Sequence, residues 1–122
     1  MRVDSDTKIC VSIAAKAGNT GTTIQNALYE KHDLNYLYKS FEIDNLEDAI
    51  KGIRAFGFRG CAVSSPYKKE VVQYLDGVSG IAEDLQIINT VVNFDGRLYG
   101  YNTDYHGLVS VLDDVLRIAP NK

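Results

Sequence analysis

A short apolar run, Lys8-Ile9-Cys10-Val11-Ser12-Ile13, passes at once into the turn-rich stretch Ala17-Gly18-Asn19-Thr20-Gly21, and that succession restricts the chain more than any other feature. The run suits a buried strand, and the loop supplies N-cap candidates for a helix from about Thr22. The unit then recurs. Residues 35–43 set Tyr36, Tyr38, Phe41 and Ile43 among polar neighbours, the pattern of a half-exposed strand. Asn45 caps a helix in which Glu47 and Asp48 meet the positive end of the dipole, while Leu46, Ala49, Ile50 and Ile53 form its apolar stripe. Gly57 ends it. A third strand, Gly60-Cys61-Ala62-Val63, stops at Ser64-Ser65-Pro66, and Pro66 fits the first position of a helix carrying residues 67–75.

Beyond Gly77-Val78-Ser79-Gly80 comes a short helical turn, then strands over residues 87–94 and 97–101 joined by Asp95-Gly96, a strong hairpin signal. An amphipathic helix closes the chain, with Leu108, Val111, Leu112, Val115 and Leu116 at helical spacing and Asn102, Thr103 or Asp104 as its cap. Strand-helix alternation predicts right-handed crossovers and parallel strands; the hairpin adds an antiparallel pair. The fold class is therefore α/β, a three-layer α/β/α domain with a mixed, mainly parallel sheet. At 122 residues, 45% of them hydrophobic, the chain matches one domain and leaves no room for a second.

A formal net charge of -3 argues against nucleic acid and anionic membrane as partners, since either needs clustered Lys and Arg. The charged start Met1-Arg2-Val3-Asp4-Ser5-Asp6 does not resemble a signal peptide, and the apolar stretch 9–15 is too short to span a bilayer. A cytoplasmic setting is expected. Cys10 and Cys61 each sit in a strand-like run, which predicts two reduced, buried core residues. His32 and His106 have no partner at ligand spacing, so no metal is expected, and His32 reads as a surface residue near a helix end.

Ligands of open α/β sheets bind beyond the carboxyl ends of the strands, which directs attention to residues 18–23, 64–68 and 102–104. Gly57-Phe58-Arg59-Gly60 is no dinucleotide fingerprint: its glycine spacing is wrong and it precedes a strand. Lys68 follows a strand end, and either it or Lys69 can reach over the strand termini. Two solvated lysines would explain the same residues. Asp104 lies at a strand-to-helix junction, where a carboxylate has a structural use as cap. Asn89-Thr90 opens an apolar strand, where a hydrogen-bonded polar pair would satisfy the burial rules alone.

Together these segments resemble the N-terminal substrate-binding domain of the shikimate dehydrogenase family, in particular its divergent shikimate-dehydrogenase-like branch. Gly60-Cys61-Ala62-Val63-Ser64-Ser65-Pro66-Tyr67-Lys68 is similar to the family's Gly, any, Asn, Val, Thr, any, Pro, any, Lys pattern, and Asn89-Thr90-Val91 and Gly100-Tyr101-Asn102-Thr103-Asp104 match two further family patterns. The resemblance implies an NADP(H)-dependent exchange between shikimate and 3-dehydroshikimate, or a quinate-like acid. It places Lys68 as general acid and base, Asp104 as its partner, and Asn89 and Ser64 on ring hydroxyls. A reduced carbonyl develops alkoxide charge, which an ammonium both stabilises and protonates.

Three departures bear on the substrate. Asn19 and Gly21 stand where the family has two carboxylate-holding serines, and Thr22 replaces a proline. Asn19, the hydroxyls of Thr20, Thr22 and Thr23, the amides of this helix start or Lys16 could take over that role. Ala62 replaces a substrate-contacting Asn. Gln86-Ile87-Ile88 replaces Gly-Ala-Val. The chain is expected to be a single substrate-binding domain over residues 1–122, with the family's nucleotide-binding Rossmann domain absent, so that cofactor binding falls elsewhere. The expected ligand is a small hydroxylated carboxylate. The alternative is a stand-alone, non-catalytic ligand-binding or interaction module, and exposed edge strands would also allow a homodimer.

Overall fold

The computed structural model describes residues 3–104; the predicted closing helix with Leu108, Val111, Leu112, Val115 and Leu116, and His106, lie outside them. The elements are β1 (Lys8–Ala14), α1 (Thr20–Lys31), β2 (Tyr36–Glu42), α2 (Leu46–Phe56), β3 (Gly60–Val63), a 3₁₀ turn (Glu70–Tyr74), β4 (Gly77–Val78), α3 (Ile81–Leu85), β5 (Thr90–Phe94) and β6 (Arg97–Tyr101). They build a six-stranded sheet in the order β2-β1-β3-β5-β6-β4. β1 is parallel to β2 and β3, β4 is parallel to β6, and β5 runs against both β3 and β6. The expected mixed, mainly parallel α/β sheet is thus observed, with β5 reversed.

Strand alternation sends Val11, Ile13, Cys61, Val63, Val91 and Leu98 into one buried layer, where α2 adds Leu46, Ile50 and Ile53. Burying one such aliphatic side chain is worth about 1.5–3 kcal/mol. The layer therefore fixes register, because a slip of one residue would turn Val11 outward and Ser12 inward. α2 forms as its sequence predicts: the Asn45 side chain accepts from the Asp48 N–H at 3.0 Å, and Gly57 closes the helix at φ +68°. The Asp95-Gly96 turn is present too, both residues at positive φ.

On the other face, cross-strand pairing lines up Ser40, Ser12, Ala62, Thr90 and Tyr101 in one row across β2, β1, β3, β5 and β6. Cys10 belongs to this face and is half-buried, which corrects the expectation that both cysteines enter the core. α1 reaches the outer edge of β2 with side chains. Asn26 accepts from the Tyr38 N–H and donates to the Tyr38 carbonyl, each at 2.8 Å, and Thr22 Oγ1 accepts from the Ser40 N–H at 3.1 Å. The outer edge of β2 is therefore occupied along that stretch.

Three other element expectations are corrected. α1 starts at Thr20 rather than near Thr22. β5 starts at Thr90 rather than residue 87, because the Ile88 N–H is drawn to the Lys68 carbonyl at 2.8 Å. The same bond explains why no α-helix opens at Pro66. With the Lys68 carbonyl engaged elsewhere, the Val72 N–H bonds to Lys69 at 3.3 Å, and a turn over residues 65–69 runs into the 3₁₀ segment. The two-residue β4 was not expected from the sequence.

Candidate functional site

The ends of β1, β3 and β6 and the start of the reversed β5 lie at one edge of the sheet, and this gathers residues far apart in sequence. Lys68 sits in the turn after β3. Its carbonyl is held by Ile88, and the preceding Tyr67 donates its hydroxyl to the Ile43 carbonyl at 2.8 Å and its N–H to Ser64 at 3.0 Å. The Lys68 ammonium then forms an ion pair with Asp104 at 3.6 Å, the lysine side chain 33% exposed and the carboxylate 72%. An exposed pair of this kind contributes about 0–1 kcal/mol to stability, so folding is a weak reason for it. Lys69 is exposed and takes no part.

Asn89 anchors the other side. Its Oδ1 accepts from the Thr103 N–H and the Thr90 hydroxyl, both at 3.0 Å, and its Nδ2 donates to the Thr103 hydroxyl at 2.9 Å. Its backbone joins two strands: the Asn89 N–H donates to Tyr101 and its carbonyl accepts from Val63. Asn89 thereby ties β3 to Thr103, the residue next to Asp104. Buried Asn102 adds a second tie, donating to the Ile87 carbonyl at 3.1 Å. The carboxylate is held at its base while its tip stays in solvent.

The residues after β1 form a second part of the site. Ser64, Gly21 and Lys16 line a cavity of about 270 Å³ with Ser12, Ser40 and Tyr38. Asn19 and Thr22 line an adjoining recess of about 360 Å³ with Lys39, Phe41 and Glu42. The Ser64 hydroxyl has no partner among the described residues, whereas the Thr22 hydroxyl is engaged twice by Ser40. A Cβ on Gly21 would lie 4.0 Å from the Tyr38 ring. Among the residues collected here, Ser12, Tyr38 and Ser40 were not anticipated. Their shared strand parity, opposite to Val11 and Ile13, is the signal that could have found them.

Burial pushes the Cys61 thiol up to about 12 and raises that of Cys10, so neither has the character of a reactive thiolate. Among the described residues no group of three or more His, Cys, Asp or Glu could hold a metal, and no helix is long and apolar enough to cross a membrane.

A family model described as the shikimate dehydrogenase substrate binding domain matches residues 19–91. A shikimate dehydrogenase-like protein of Haemophilus influenzae is 43% identical over 111 residues, covering 91% of this chain and 41% of that protein. A shikimate dehydrogenase (NADP(+)) of Halothermothrix orenii is 38% identical, covering 91% of this chain and 39% of that protein. Among solved structures, a shikimate 5-dehydrogenase from Listeria monocytogenes in complex with shikimate and NAD superposes with a TM-score of 0.86 at 36% identity, covering 94% of this chain and 41% of that one. The chain thus spans about two fifths of the length of these curated relatives.

Proposed function

Because the chain belongs to the shikimate dehydrogenase family, we propose that it serves as the substrate-binding domain of an NADP-dependent oxidoreductase acting on shikimate, 3-dehydroshikimate or a quinate-like acid in the cytoplasm. The observation that carries this reading is the Lys68–Asp104 ion pair at 3.6 Å, formed by residues remote in sequence beside an anchored Asn89. Lys68 is the general acid and base. When a ring carbonyl is reduced, its oxygen takes up negative charge, and the Lys68 ammonium stabilises that charge and donates the proton; in the reverse direction the lysine amine accepts the hydroxyl proton. Asp104 orients the ammonium. The free hydroxyl of Ser64 and the remaining Asn89 N–H supply hydrogen bonds to ring hydroxyls, a mode that discriminates against analogues lacking them.

The Gly57–Gly60 segment does not fit a dinucleotide. Gly57 is the left-handed end of α2 and Gly60 begins β3, so this glycine pair joins helix to strand rather than strand to helix and offers no pyrophosphate cradle. No hydride step is placed on these residues; their part is to hold the substrate and move its proton. The test is NADP-dependent shikimate oxidation by the intact protein that carries this chain. Lys68→Ala should lower kcat/KM by about 10²–10⁴-fold, the usual contribution of a positioned acid-base group. Unchanged turnover would refute the assignment, and tight shikimate binding without turnover would favour a non-catalytic ligand-binding module.

A further inference from the structure

Between the Lys68–Asp104 corner and α1, the exposed face of the sheet is floored by the small side chains of Ser40, Ser12, Ala62 and Thr90 in one row. Strands lie about 4.8 Å apart, which sets Ser12 roughly 10 Å from Thr90 across the row. A six-membered ring with a carboxylate at one end and a hydroxyl at the other can bridge that span.

We propose that Lys16, backed by the Ser12 and Ser40 hydroxyls, is the anion-binding end of this cleft and receives the carboxylate of an acid whose hydroxyl end meets Lys68. The assignment rests on the function proposed above. Lys16 lines the cavity, is exposed, and forms no ion pair among the described residues. Behind it, Ser40 Oγ accepts from Ser12 Oγ at 2.9 Å and from Thr22 Oγ1 at 3.1 Å. Both serine hydroxyls line the cavity, and a hydroxyl there can rotate to donate to an anion. An ammonium and a hydroxyl converging on a carboxylate form charge-assisted hydrogen bonds, stronger than neutral ones.

The neighbouring charges agree with this placement. Glu42 lines the adjoining recess, where its carboxylate is taken up by the Ala17 N–H at 3.1 Å. Lys39 donates to the Ser40 carbonyl at 3.2 Å and lies 4.3 Å from the Phe41 ring centroid, on the far side of the same strand segment. The first turn of α1 has no acidic residue to repel the anion. The loop positions do less: Gly21 brings no side chain, and Asn19 faces the recess rather than the cavity. Anion recognition then falls to Lys16 in the same loop, with Ser12 and Ser40 of the adjoining strands behind it.

The test is calorimetric titration of the intact protein with shikimate and with its uncharged methyl ester. Lys16→Gln should weaken shikimate binding by about tenfold or more while leaving the ester within about twofold, the change expected on losing a hydrogen bond to a charged group. Ser40→Ala should act in the same direction more weakly, with thermal unfolding measured in parallel to confirm the fold. A Lys16→Gln protein that binds shikimate as tightly as its parent, or loses acid and ester equally, overturns the assignment and leaves the proposed function standing. If the unsubstituted protein binds neither shikimate nor quinate, the proposed function falls and this assignment with it.

Discussion

Replacing Asn89 by Ala removes the acceptor for the Thr103 N–H and the Thr90 hydroxyl together with the donor to the Thr103 hydroxyl, contacts of 3.0, 3.0 and 2.9 Å. A hydrogen bond contributes about 0.5–1.5 kcal/mol net. Because Thr103 is exposed, water recovers part of the two hydroxyl bonds. The amide bond matters most, since a backbone N–H left without its acceptor typically costs about 1 kcal/mol. The expected destabilisation is about 1–2 kcal/mol, read as a lower urea midpoint at constant slope. Asn89→Asp keeps the acceptor and lacks the donor, so it should recover most of the stability. It should not recover activity, because the amide N–H available to a ring hydroxyl is gone. Equal destabilisation by Ala and Asp, or a change under about 0.5 kcal/mol for Ala, would refute the claim that Asn89 holds Thr103 and through it Asp104.

Two other substitutions test the scaffold. Asp76 accepts from the Leu98 N–H and from Arg54, which together hold its carboxyl below the usual range. A carboxyl with a lowered folded-state value adds stability above its unfolded value near about 3.9 and loses it as pH falls through the lower folded one. Unfolding scans should therefore show the parent losing stability below about pH 4 and Asp76→Asn losing less; parallel acid limbs would contradict this. Asn26→Leu frees the Tyr38 N–H and carbonyl on the outer edge of β2 and should produce concentration-dependent self-association in light scattering, with a strictly monodisperse variant counting against an edge-capping role.

What the sequence made legible is what local chemistry decides. Asn45 and Gly57 bracket α2 because a side-chain cap and a left-handed terminus are properties of a few adjacent residues. Asp95-Gly96 specifies its turn for the same reason. The segment after Pro66 departs from its local pattern because its helix is prevented from outside: the Lys68 carbonyl bonds to Ile88, twenty residues on, and no local pattern announces that. Asn26 is similar. A polar residue in a helix ordinarily reads as solvent-facing, and only the assembled edge of β2 shows what it bonds. The place of Cys10 was legible locally, since it shares parity with Lys8 and Ser12 rather than with Val11.

The candidate site depends on both kinds of information at once. Asn89 precedes its strand while Thr103, next to Asp104, follows its own, and the two bond because β5 is reversed and the hairpin folds β6 back beside it, pairing Thr90 with Tyr101. That register is fixed by the turn: Phe94 pairs with Arg97, leaving two loop residues at positive φ, a conformation that Asp-Gly adopts readily. One added loop residue would shift β6 by a position and, with a side-chain period of two, exchange its faces, burying Tyr99 in place of Leu98. Buried Leu98 and Gly100 oppose such a shift, the latter because a Cβ there would stand 2.6 Å from Leu75 and 2.8 Å from Ile88. A dipeptide and a close-packed glycine, neither lining the candidate cavities, therefore determine whether the Asp104 carboxylate reaches the Lys68 ammonium.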